Sequence, residues 1–222
     1  MHRRFYPYLF AYALLLIAMA YLLCNYSKGE SHILLNGYHT AWLNSFFKYY
    51  TKLAEWPFYV IAAIPLFIPK YRWWTYMYAA SELGNACITT IIKQSFNMPR
   101  PKAFFGDQLS ELVPIVDGVR LHSWHSFPSG HTATFFIFFT TIALLCVYYK
   151  HQQIAESAIK RLSFCFINML LVVLAALGSY SRIYLSQHFL LDCFVGSIIG
   201  IAVPCCMFTL FIYKKWDKQR VK

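Results

Sequence analysis

Three polar signatures interrupt the long apolar runs of this 222-residue chain. Lys93 is followed by Arg100-Pro101, Pro128-Ser129-Gly130-His131 comes next, and Arg182, His188 and Asp192 complete the series. His188 and Asp192 stand four apart, one turn apart on one face of a helix. A carboxylate bonded to one imidazole nitrogen fixes the tautomer and frees the other nitrogen as a nucleophile. Lys93, Arg100 and Arg182 complement a phosphate dianion, arginine with planar paired donors and lysine with a point charge. His131 is suited to protonating a leaving oxygen as general acid. Pro128 and Gly130 shape a turn into a helix whose free N-terminal amides bind anions, and Ser129 can cap that helix or donate to a phosphoryl oxygen. Together these residues are what phosphoryl transfer through a histidine needs. A metal pair at His188 and Asp192 is the weaker alternative, because the three cations would repel it and further carboxylates to hold it are missing. The bland alternatives are a local helix pair and basic residues snorkelling to headgroups. Convergence of three cations and two histidines on one face argues against them.

Elements that place these residues must lie in a membrane. The chain is 59% hydrophobic and 19% aromatic, above ordinary soluble domains. Its net charge of +11 sits in short segments flanking apolar runs. That pattern suits membrane orientation and anionic lipid, and disfavours nucleic acid as a partner. The seven cysteines fall in or beside apolar runs without metal-type spacing and read as small buried hydrophobes. No linker, repeat or low-complexity tract divides residues 1–222, so one domain is expected. Met1-His2-Arg3-Arg4 precedes an apolar run with no small-residue cleavage site after it, which reads as an uncleaved first span.

A spanning helix needs about 20 mostly apolar residues. Six are expected, in an all-α bundle, near Tyr8–Asn25, Trp56–Pro69, Trp73–Ile92, His131–Tyr149, Leu162–Tyr180 and Phe189–Tyr213. The second is short and interrupted by Pro65. Six spans put both termini on one side. That side carries more Lys and Arg, including Arg3, Arg4, Lys150 and the C-terminal cluster, so the positive-inside rule places the termini in the cytoplasm. The three signatures then share the opposite face.

Three further segments stand out. Residues 37–54, with Trp42, Phe46, Phe47 and Tyr50, read as an amphipathic interfacial helix or as a loop with aromatic anchors. A polar stripe, Ser81, Glu82, Asn85, Thr89 and Lys93, climbs the third span. It either lines a wet cavity or holds the bundle by interhelical hydrogen bonds. Residues 102–127 form a long loop in which His122 and His125 read as rim residues.

Lys93-x6-Arg100-Pro101, Pro128-Ser129-Gly130-His131 and Ser181-Arg182-x5-His188-x3-Asp192 resemble the three-part signature of the type 2 phosphatidic acid phosphatase superfamily, matching at every signature position between residues 93 and 192. The resemblance implies that His188 attacks phosphorus to form a phosphohistidine, with Asp192 orienting it and His131 acting as acid. It implies that Lys93, Arg100 and Arg182 hold the phosphoryl oxygens with Ser129 and the Gly130 amide, without a metal or cofactor. The implied protein is a lipid phosphatase of a bacterial inner membrane, its site at the periplasmic end. In general likeness it is similar to bacterial lipid A phosphatases, including those acting at the 4′-phosphate. Undecaprenyl pyrophosphate and phosphatidylglycerol phosphate are the alternative substrates. A vanadium-dependent haloperoxidase and a non-catalytic lipid-binding or transport protein are remote ones.

Overall fold

Lipid offers no hydrogen bonds to a peptide backbone, so apolar runs of spanning length form helices. The computed structural model describes residues 5–149 and 158–220, and all regular structure among them is helical. The order is α1 (Tyr6–Asn25), α2 (Lys28–Asn36), α3 (Ala41–Tyr50), α4 (Trp56–Ala63), α5 (Arg72–Phe96), α6 (Pro101–Phe105), α7 (Leu109–Leu112), α8 (Gly130–Tyr149), α9 (Ala158–Tyr184) and α10 (Leu190–Arg220). Arg3, Arg4, Lys150 and Lys222, which entered the charge asymmetry, lie outside the described residues.

Among the described residues four helical stretches are long and apolar enough to cross a membrane: Tyr6–Asn25, Gly130–Tyr148, Arg161–Tyr184 and Leu190–Ile212. The chain is a multi-pass membrane protein. The second and third expected spans do not meet both criteria. Trp56–Phe67 is apolar but too short, and α4 tightens into a 3-10 turn, Ile64–Phe67, at Pro65. Proline lacks the N–H that an uninterrupted helix needs there. Helix α5 has the length, 25 residues, but its polar stripe lowers its hydropathy.

That stripe is turned inward: Ser81, Glu82, Asn85 and Thr89 are all buried. Glu82 Oε2 accepts from Thr134 of α8 at 3.0 Å, and from Tyr59 of α4 and Asn85 at 3.4 Å each. The stripe therefore ties α4, α5 and α8 together.

Helix α8 is the centre of the bundle, with Ala133, Phe135, Phe136 and Ile137 fully buried. Phe58 of α4 stacks on Phe138 with ring centroids 4.0 Å apart. Tyr8 and Tyr12 bring α1 in by pairing their hydroxyls with Thr140 of α8, at 2.9 Å, and Ser197 of α10, at 3.1 Å. Gly196 and Gly200 let α10 approach α8 closely. A Cβ added at Gly196 would stand 2.6 Å from the Ser129 carbonyl oxygen, and one at Gly200 2.7 Å from that of Ala133. Small residues four apart on an apolar helix permit such contact. The crossing brings the start of α8 onto the start of α10, where the Ser129 N–H donates to the Asp192 carbonyl at 3.0 Å.

Residues 37–54 form α3 and the 3-10 turn Thr51–Ala54. Thr40 caps α3 by accepting from Leu43 N–H at 3.2 Å. Its Phe47 is buried against Tyr180 and Tyr184 of α9, while Trp42 and Tyr49 stay exposed. The segment is thus a helix docked on the bundle by one face. Helix α2 was not anticipated, although Ser27-x-x-Glu30 is a capping box whose two reciprocal bonds both form.

Candidate active site

The C-terminal ends of α5 and α9 and the N-terminal ends of α8 and α10 meet at one end of the bundle. Between them lies a cavity of about 370 Å³. Lys93, Arg100, Gly130, His131, Arg182 and His188 line it, joined by Thr51, Glu55, Leu185 and Gln187 and by residues of α3 and of the stretch after α7; the expected 102–127 loop is thus partly helical, as α6 and α7. Ser129 and Asp192 stand behind this wall, both buried.

Local structure aims His188 and Arg182 at the same space. Helix α9 ends in a turn in which Ser186 is left-handed, φ 50°. The N–H groups of Gln187 and His188 both return to the Arg182 carbonyl, at 2.9 and 3.1 Å. Asn36 of α2 secures the turn: its amide donates to the carbonyls of Ile183, at 2.6 Å, and Tyr184, at 3.1 Å, satisfying helix-end acceptors. Ser186 Oγ accepts from the same amide at 3.0 Å.

Asp192 sits in the first turn of α10. Its Oδ2 accepts from the Phe189 N–H at 2.9 Å, from the Ser126 hydroxyl and from His188 Nδ1 at 3.3 Å. A carboxylate reaching back to the residue before the helix is half of a capping box and favours the positive end of the helix dipole. His188, 2% exposed, thus has Nδ1 engaged while its ring borders the cavity, leaving Nε2 as the available nitrogen. Burial lowers its pKa to about 3; the Asp192 bond opposes this, and Arg100 and Arg182 add to it. The free imidazole is neutral.

The two arginines are held by neutral partners. Arg182 donates Nη1 to Thr51 Oγ1 at 2.8 Å, and among the described residues its buried Nε has no hydrogen-bond partner. Arg100 donates Nε to the Trp124 carbonyl at 3.0 Å and Nη1 to the Gln187 carbonyl at 3.2 Å. Among the described residues no carboxylate forms an ion pair with Lys93, Arg100 or Arg182. Three unneutralised cations around one cavity make an anion site.

His131, in the first turn of α8, faces this group with Nε2 3.8 Å from Glu55 Oε1. The Ser129 hydroxyl accepts from the Thr132 N–H at 3.4 Å, so it caps α8. Gly130 borders the cavity, and a Cβ there would meet nothing within 4 Å. His122 lines the cavity rim; His125 lies outside the lining, near the Lys93 carbonyl at 3.4 Å. Thr51, Glu55, Ser126, Gln187 and Asn36 were not anticipated. Thr51, Glu55 and Asn36 belong to no spaced motif and reach the site only through tertiary contacts, whereas Ser126 and Gln187 lie beside or within the signatures at positions that the motifs leave open.

A family model described as the PAP2 superfamily matches residues 71–216, and the chain belongs to that family. By class it is a membrane lipid phosphatase. Among solved structures it is similar to LpxE of Aquifex aeolicus, with 26% identity and a TM-score of 0.61 over 83% of this chain and 97% of that one. It also shares its fold with a transmembrane PAP2-type phosphatidylglycerolphosphate phosphatase of Bacillus subtilis, at 21% identity and a TM-score of 0.62 over 96% of this chain and 97% of that one. No curated protein matches in sequence.

Proposed function

We propose that this protein removes a phosphate from a bacterial envelope lipid through a phosphohistidine intermediate. The observation that carries the reading is a neutral, Asp192-bonded His188 facing three unneutralised cations in one cavity. In the first step His188 Nε2 attacks phosphorus and the bond to the leaving oxygen breaks. His131 gives that oxygen its proton. Asp192 balances the positive charge that develops on the His188 ring. Lys93, Arg100 and Arg182, with the Gly130 amide, hold the three equatorial oxygens. Ser129 supports that cradle by capping α8. In the second step His131, now basic, takes a proton from water; the oxygen attacks the phosphohistidine, and phosphate leaves with His188 restored. Neither metal nor cofactor is required, since the lysine and arginines supply the charge stabilisation.

The whole of residues 1–222 acts as one domain with six membrane-crossing segments. The short Trp56–Phe67 segment and α5, whose stripe is satisfied inside the bundle, are two of them. Both termini are cytoplasmic and the cavity opens to the periplasm of an inner membrane, which the distribution of Lys and Arg supports. Lipid A, including its 4′-phosphate, is the first substrate, on the sequence's general likeness to bacterial lipid A phosphatases. Undecaprenyl pyrophosphate and phosphatidylglycerol phosphate follow.

The test is phosphate release by detergent-purified wild type and His188→Ala on these three lipids, with mass spectrometry of the products. Release by wild type alone names the substrate and the phosphate lost. Equal release by His188→Ala, or release abolished by EDTA, would overturn the histidine mechanism.

A further inference from the structure

The cavity holds more positive charge than one phosphoryl group requires. Besides Lys93, Arg100 and Arg182 it is lined by Lys48, Lys52 and Arg120, against a single lining carboxylate, Glu55, which lies beside His131. The second trio belongs to none of the three signatures. Lys48 is on α3, Lys52 on the 3-10 turn after it and Arg120 in the loop before α8. Lys52 and Arg120 are exposed and Lys48 half-buried, whereas Arg182 and His188 are buried. The cavity therefore has an inner cationic floor and an outer cationic rim.

The rim is built. Lys48 Nζ donates to the Asp117 carbonyl at 2.6 Å, fastening α3 to the loop that carries Arg120. The Arg120 carbonyl accepts from Gln187 Nε2 at 2.9 Å, and Gln187 Oε1 in turn accepts from Arg100 Nη1 at 3.4 Å. Rim and floor are thus joined through one side chain. An ammonium has three donors, so Lys48 keeps two beyond its carbonyl contact. Among the described residues no carboxylate forms an ion pair with Lys48, Lys52 or Arg120. The positive field is felt by His122 on the same rim, whose pKa is lowered by burial, then by Arg100, Arg120, Arg182 and Lys102. Basic residues at a membrane surface commonly meet anionic headgroups. These three, however, share a cavity with the reacting histidine, which directs them to the substrate itself.

We propose that Lys48, Lys52 and Arg120 form a second anion subsite that holds an inner phosphate of the substrate while the terminal phosphate lies on Lys93, Arg100 and Arg182. The inference rests on the lipid-phosphatase reading. It moves the preferred substrate toward lipids whose terminal phosphate is linked to another phosphate, as in a polyprenyl pyrophosphate. During attack by His188 the inner phosphate is the leaving group, and its growing charge falls on the rim cations.

The test compares farnesyl pyrophosphate with farnesyl monophosphate, which share one tail, in neutral detergent with no other anionic lipid. Wild type is set against Lys48→Gln/Lys52→Gln/Arg120→Gln, with lipid A as a third substrate. A parallel series adds phosphatidylglycerol to the micelles. The expected result is a fall in kcat/KM of roughly a hundredfold on the pyrophosphate and less than about threefold on the monophosphate, as for loss of transition-state charge stabilisation on one substrate only. The fall should be the same with and without phosphatidylglycerol. An equal fall on both esters, or none, would overturn the subsite. A difference that arises only when phosphatidylglycerol is present would instead assign the rim to a neighbouring lipid and also overturn it. Hydrolysis of lipid A but of neither farnesyl ester would reject the linked phosphate while leaving the phosphatase reading intact. Release from no lipid at all would reject the phosphatase reading itself.

Discussion

Replacing Asp192 with asparagine isolates one charge. The amide oxygen can still accept from the Phe189 N–H and the Ser126 hydroxyl, so the start of α10 keeps its cap. What disappears is the negative charge 3.3 Å from His188 Nδ1. In the proposed transition state for phosphohistidine formation the ring acquires positive charge. At 3.3 Å and an effective dielectric constant of about 20, a full charge pair is worth about 5 kcal/mol. Divided by about 1.4 kcal/mol per decade, that corresponds to a loss of between three and four powers of ten in rate. The assay is phosphate release from a lipid that wild type hydrolyses, read as kcat, alongside thermal unfolding in the same detergent. Unchanged melting with a kcat within roughly tenfold of wild type would refute the role assigned to Asp192.

Other outcomes follow from the same geometry. His188 is neutral at pH 5 as well as pH 7, because burial holds its pKa near about 3; an imidazole nitrogen resonance titrating near pH 6.5 would contradict this. Since the unfolded chain protonates this histidine near pH 6.5 and the folded chain only near 3, its effect on stability is to lower it as pH falls through that window, measurable as a declining Tm. Gly130→Ala should fold normally, as its methyl meets no atom within 4 Å, yet cut kcat/KM by roughly tenfold or more by filling the phosphate cradle. Arg182→Ala should reduce turnover by at least about a hundredfold and Lys102→Ala by less than about threefold, because Arg182 lines the cavity and exposed Lys102 does not. Comparable losses would mean the phosphate-holding residues are misassigned. Vanadate, a mimic of the five-coordinate phosphorus, should inhibit wild type; indifference to it would count against a phosphate cradle at His188.

The sequence made the helical bundle and the meeting of the signature residues legible for a physical reason. Residues at the ends of spans are fixed in depth by hydrophobic length, so polar groups after the third and fifth spans and before the fourth and sixth must share one level. The starts of α8 and α10 were placed to within a residue, because Pro128 and the His188–Asp192 pair mark them. The far ends were less legible: α9 continues to Tyr184, where a buried amide, Asn36, supplies the cap that no local residue announces. Span two was read as running to Pro69 with an interruption at Pro65, and its α-helix ends at Ala63, just before that proline. Thr51 and Arg182 are 131 residues apart, and nothing periodic links them. Gly196-x3-Gly200 was readable as a close-packing motif, and the reading did not use it.

The hydrogen bond from Arg182 to Thr51 bears on where this protein can be cut. The family-matched region begins at residue 71. Thr51, Glu55, Lys48 and Asn36 all precede it, yet they steady the guanidinium, face His131, line the rim and cap α9. A fragment trimmed to the matched region would carry every signature residue and still lose the side chain that orders Arg182 before substrate arrives. The entropy of fixing that arginine, settled during folding in the intact chain, would then fall on each binding event. Recognition of a family by its motifs and completeness of its working site thus have different boundaries here.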